Sequence, residues 1–176
     1  MAMVRLQFPF EDEEKSIYYL NRILEKDKYN FEALIIKMYL QNFYYGKMDD
    51  DFYNLINHEW DSSDKKSVVY YIMSWQFEED DKKEEYLKKA INEYSCYVWM
   101  FKKLGYIYKM KSMYKNAYEC YYKALHNVKT TDFPPECAIR KEAFIEEYIL
   151  GTSISTINYD MLRKDVDIIK SYCQIR

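Results

Sequence analysis

Apolar residues recur at helical spacing along most of this chain, and the breaks between them predict a series of short helices. The first spans about 13–26, with Ile17, Leu20, Ile23 and Leu24 on one stripe. Lys28-Tyr29-Asn30 interrupts it. A second helix, about 30–43, is apolar almost all round, from Phe31 through Leu34, Ile35 and Ile36 to Leu40, which predicts burial on most faces. Gly46 marks the next turn, and a third helix carries Phe52, Leu55 and Ile56 and ends near Trp60. Ser63 or Asp64 is expected to cap a fourth, which holds Val68, Val69, Tyr71, Ile72 and Trp75. A fifth holds Tyr86, Leu87, Ala90 and Ile91; a sixth covers about 98–110 and a seventh about 113–127. Pro134-Pro135 opens an eighth helix, which runs to Ile149 and stops at Gly151. A ninth, about 155–172, is expected to turn Ile157, Met161, Leu162, Ile168, Ile169 and Tyr172 inward.

The 176 residues hold only 3 Gly and 3 Pro, too few for the turns of a sandwich or barrel or for a glycine-rich phosphate loop. Fold class is therefore all-α, in a single domain of about nine helices with essentially no strand. Net charge is −3, which argues against a general nucleic-acid partner. The acidic runs Glu11–Glu14, Asp49–Asp51 and Glu78–Asp81 read as solvated helix starts or turns, and Asp49–Asp51 lacks the spaced ligands of a calcium loop. Cys96, Cys120, Cys137 and Cys173 stand singly and read as reduced, mostly buried thiols. No apolar run is long enough for a membrane span or a signal peptide, so the expectation is a cytoplasmic protein without membrane insertion.

Enzymatic constellations are nearly absent. His58 and His126 are isolated, so no zinc set forms, and Cys137 has no context for a nucleophile. Gly151-Thr152-Ser153 reads as a helix stop followed by caps. The expectation is no enzyme, no cofactor and no metal.

An internal period is the most informative feature. The sixth and seventh helices carry Phe101-x-x-Leu104-Gly105-x-x-Tyr108, then Tyr114, Ala117-x-x-x-Tyr121-x-x-Ala124-Leu125. Gly105, Ala117 and Ala124 are small where two antiparallel helices must approach, and the large residues fill the space beside them. This pattern resembles a tetratricopeptide repeat, strong over 98–131. One 34-residue step back, over 64–97, the match weakens: Tyr71 replaces Gly105 and Lys83 replaces Ala117, so that pair must be spaced or rotated differently. A further step reaches 30–63, with 13–30 an N-terminal helix and 132–176 a capping helical pair.

The resemblance implies a right-handed solenoid of helix pairs. It also implies a concave groove, lined by the first helix of each repeat, that takes a peptide or partner protein. By position, the groove residues would be Lys65, Val68, Ile72 and Trp75 from one unit and Trp99, Lys102, Tyr106 and Lys109 from the next. Aromatic platforms beside lysines suit a peptide with carboxylates and an apolar anchor. Trp75 and Trp99 also suit plain packing between repeats. The carboxylate-clamp variety of the family carries an Asn one turn after its Lys, where this chain has Tyr106; Arg140 would supply a further cation from the next helix. The resemblance thus implies a non-catalytic interaction module, whose partner is a protein, a peptide or a second copy of the chain. A dedicated secretion chaperone or a toxin-neutralising immunity protein would have this size and form. RNA contact through Lys102-Lys103 and Lys109-x-Lys111 is the weaker alternative.

Overall fold

The computed structural model describes residues 12–95, 97–127, 129–131 and 153–173. Among them are eight α-helices rather than about nine; the expected helix over 135–149 lies outside the described residues, as do Arg140 and Cys137. α1 is Glu13–Leu24, α2 Phe31–Leu40, α3 Asp51–Asn57 and α4 Ser63–Ser74. α5 is Asp80–Glu93, α6 Val98–Met110, α7 Tyr114–Asn127 and α8 Thr156–Cys173. Two strands were not expected. β1 (Lys129–Thr131) and β2 (Ser153–Ser155) form a three-residue parallel pair just before α8.

Local chemistry accounts for the helix starts. The Asp12 carboxylate accepts the Lys15 N–H at 3.0 Å and opens α1. Asn30, which interrupts the apolar pattern, caps α2 by accepting the Ala33 N–H at 3.1 Å. Asp80 and Asp81 sit in the first turn of α5, where the helix dipole favours negative charge. Ser62, not Ser63 or Asp64, is the N-cap of α4.

As the pattern requires, α2 is buried on nearly every face. It runs on into a π-helical turn, Gln41–Tyr45, which Gly46 ends with a φ of 66°. The buried Lys37 ammonium reaches Asp49 at 2.7 Å and Asp51 at 2.5 Å, tying α2 to the start of α3. Two of the three aspartates read as a solvated run therefore hold a buried lysine. Burial alone would lower the Lys37 pKa, but the bonds to Asp49 and Asp51 raise it above the ordinary value.

Neighbouring helices pack as short-linked pairs. α6 ends in a Schellman motif, with the Met113 N–H on the Tyr108 carbonyl at 2.8 Å and the Ser112 N–H on Lys109 at 3.0 Å. Ser112 takes the left-handed position, φ 58°, that glycine usually fills. The turn directs α7 back along α6, and the ring of Tyr121 comes down on Gly105. A Cβ at Gly105 would lie 3.0 Å from that ring, so the glycine is what allows the approach. Ala117 and Ala124 are wholly buried in the same seam.

Ser67, early in α4, donates to the Ala90 carbonyl late in α5 at 2.7 Å and lies 3.3 Å from Met100 Sδ early in α6. Lys111, at the end of α6, bonds Asp81 at 2.6 Å and Glu84 at 2.7 Å, and Lys88 bonds Glu84 at 2.5 Å. The α4–α5 and α6–α7 pairs are thus joined both through the core and by a charged network at the surface.

Candidate binding surface

Trp75 caps the C-terminus of α4, half-buried, with its ring edge-on to Tyr71 at 5.3 Å and to Tyr39 at 6.5 Å. Two such contacts on a rigid aromatic fix its orientation. Beyond it opens a cleft of about 190 Å³ walled by α4, α5 and α6. Tyr71, Ser74 and Trp75 supply the α4 wall, Asp80, Lys83 and Leu87 the α5 wall, and Lys103, Tyr106 and Ile107 the α6 wall. Tyr106 is 56 % exposed and stands at the rim. Among the described residues neither Lys83 nor Lys103 joins an ion pair, so two ammonium groups flank an aromatic floor without a counter-charge bonded to them.

The cleft lies where the repeat pattern fails. Tyr71 and Lys83 occupy the positions that Gly105 and Ala117 fill one 34-residue step later, and both line it. Tyr71 is buried with its ring edge-on to Trp75, and the half-buried Lys83 lines the cleft from α5.

The residues expected in one groove separate into five places. Trp75 and Tyr106 share the cleft. Val68 and Ile72 are wholly buried, a correction to their expected place on the groove: these apolar side chains fill the core behind α4. Lys65 lies over Phe31 (5.7 Å) and Trp60 (5.9 Å) and pairs with Asp61 at 3.3 Å, so it serves the α2–α4 junction. Trp99 and Lys102 form their own unit, the ammonium 4.8 Å from the ring centre. Burial lowers the Lys102 pKa, and the Asp165 charge on α8 partly offsets this, so the pair lies toward α8. Lys109 is half-buried and does not line the cleft. Lys83, Lys103, Tyr71 and Asp80 were missed, although the first and third stood out as departures from the repeat pattern.

A second correction concerns α8. Met161, Ile168 and Tyr172 were expected inward, yet they are 51, 46 and 58 % exposed. The buried stripe is Leu162, Val166 and Ile169.

Other chemistry is thin. Burial pushes the Cys120 thiol up to about 12, which makes it a packed hydrophobe rather than a nucleophile. His58 is stacked on Tyr29 at 4.4 Å and edge-on to Trp60 at 4.4 Å, and His126 bonds the Tyr122 carbonyl at 2.8 Å; both are engaged in local packing. Among the described residues no group of three His, Cys, Asp or Glu is placed to hold a metal, and no helix is long and apolar enough to cross a membrane.

Comparison with protein-family models, with curated proteins and with solved structures gives no match.

Proposed function

We propose that the chain is a non-catalytic protein-interaction module of the tetratricopeptide type, which takes an acidic peptide or protein segment across α4 and α6. The observation that carries this reading is the cleft between Trp75 and Tyr106, with Lys83 and Lys103 on its walls. Its volume suits one apolar anchor side chain rather than a small molecule, since ligand pockets usually start near 300 Å³. The two ammonium groups suit carboxylates on either side of that anchor. Aromatic rings held by neighbours and cations at a rim are the features that concentrate binding energy. The solenoid part of the reading draws support from the way Ser67 meets Met100 nearly one repeat length away, as equivalent helices of successive pairs would.

Selection from a random peptide library tests it. Enriched peptides should carry Asp or Glu next to an aromatic or branched aliphatic residue. Their affinity should fall about tenfold or more with Tyr106→Ala, and with Lys103→Glu at low salt, because exposed charge attraction is screened within about 8 Å at physiological ionic strength. Peptides without a shared pattern, or affinity indifferent to both substitutions, would remove the cleft as the site.

A further inference from the structure

A second and larger cleft, of about 470 Å³, opens beside α3. Tyr53, Asn54 and Asn57 of α3 line it, with Tyr29 from the turn before α2 and His58 and Glu59 from the link to α4. Unlike the cleft at Trp75, it falls in the size class of small-molecule sites, roughly 300–1,000 Å³. Its walls are held from behind. Trp60 donates its indole N–H to the Leu55 carbonyl at 2.7 Å, His58 lies edge-on to Trp60, and Tyr29 stacks on His58. The Asp27 carboxylate accepts the Tyr29 N–H at 3.2 Å and fixes the turn that carries it. Asn54 donates to Asp51 at 3.0 Å, and Asp51 in turn holds the buried Lys37. That bond uses an amide N–H and leaves the Asn54 carbonyl oxygen to accept. Tyr53 is 60 % exposed, and the exposed Glu59 joins no ion pair among the described residues. No lysine or arginine is among the described residues that line the cleft. Just outside, the Lys28 ammonium lies 4.7 Å from the centre of the Tyr29 ring.

We propose that this cleft binds a small organic cation, an alkylammonium or guanidinium compound with an apolar stem. Three kinds of lining group attract that class together: tyrosine rings, whose faces are negative, amide oxygens, and a carboxylate without a counter-charge. An anion would meet Glu59 and no cation on the walls. A neutral ligand covering Glu59 would strip its water and offer no charge in return. Lys28 sets an ammonium against Tyr29 in the way the ligand would, and as a like charge at the rim it competes with one. The site is open to solvent, where cation–ring attraction is modest, so a dissociation constant of about millimolar is expected.

The test is a titration of the full chain, followed by NMR, at low salt and about pH 8, where an alkylamine is still protonated. The probes are n-butylammonium and n-butylguanidinium, set against 1-butanol and butyrate, which share the stem but not the charge. At least one cation should bind saturably and shift Tyr29, Tyr53 and Asn57 signals, about fivefold or more tighter than either control. Tyr53→Leu, which keeps an apolar side chain but removes the ring, should weaken the cation about threefold. Glu59→Gln should weaken it by about as much, and that loss should fade as salt is added. Lys28→Gln should act in the opposite sense and strengthen binding about twofold, because a like charge leaves the rim. No saturable shift by about 20 mM of either cation, well past a millimolar constant, would overturn the proposal. Equal binding of 1-butanol or butyrate would do the same. So would binding indifferent to Tyr53→Leu and Glu59→Gln, which is the general attraction of cations to an acidic chain. Should Tyr53→Leu disturb α3, Glu59→Gln and Lys28→Gln lie outside any helix and still decide by their opposite signs.

Discussion

Two helix pairs one 34-residue step apart meet the same packing problem with different residues. In α6–α7 the glycine at 105 lets the Tyr121 ring lie on the helix backbone, and the seam is closed. In α4–α5 the matching position is Tyr71, Leu87 stands where Tyr121 would, and Lys83 replaces the wholly buried Ala117. Tyr71 turns its ring to Trp75, Lys83 reaches the surface, and a cleft opens beside them. Tyr71, Lys83 and Leu87, where the 34-residue pattern changes, all line this cleft beside Trp75, Tyr106 and Lys103.

The sharpest way to break the comparison is to fill the closed seam. Gly105→Leu should cost about 1–3 kcal/mol or more, because the Tyr121 ring already lies at the limit of contact. Gly105→Ala should cost less, and in a Tyr121→Ala background it should become neutral or stabilising, since the helix then gains propensity and the clash is gone. Thermal melts of the four proteins in that cycle measure the coupling. Strictly additive effects would mean the ring is not what demands the glycine.

A smaller effect concerns the network that joins the two pairs. Burial would raise the Glu84 pKa, but bonds from Lys111 and Lys88 outweigh it and hold the carboxyl below its ordinary value. Its contribution is therefore whole above the unfolded pKa of about 4.3 and disappears as the pH falls through the lower folded value. Glu84→Gln should cost about 1 kcal/mol at pH 7, and the gap to the parent should shrink below about pH 4. Melting curves against pH decide this; a gap that stays constant down to pH 3 would place the loss in packing instead.

The smallest change is expected in the α4–α5 pair. Lys83→Ala should leave stability within about 0.5 kcal/mol of the parent, because the half-buried Lys83 joins no ion pair among the described residues, while weakening any acidic peptide held in the cleft. A melting temperature several degrees lower would show that Lys83 supports the pair rather than facing a ligand.

Most of the fold was legible in the sequence, because the helices are strongly periodic and their caps are local. α6 begins and ends at the residues the pattern indicates, and α7 and α8 differ by a residue. Orientation was less legible. On α8 two apolar stripes lie side by side, and periodicity cannot say which one has a neighbour. On α4, Val68 and Ile72 sit where the repeat pattern places groove residues, yet both are wholly buried, while Tyr106, one step after Ile72, is exposed. The π-helical turn after α2 carries no residue signal of its own before Gly46 ends it. The cleft was half visible, through Trp75 and Tyr106, and the cations beside them became apparent only once α5 and α6 were in place.

The burial of α2 on almost every side has a kinetic consequence. Its core residues, Leu34, Ile35, Met38 and Leu40 among them, gain shelter only when α1, α3 and α4 are all docked, so no partial opening at one end exposes its amides. In deuterium exchange the α2 amides should be the slowest of the chain and should report the global unfolding free energy. Those of α8, which is packed chiefly on α7, should exchange earlier through a local detachment. The ordering of those rates would separate the cooperative heart of the molecule from the part that can come away alone.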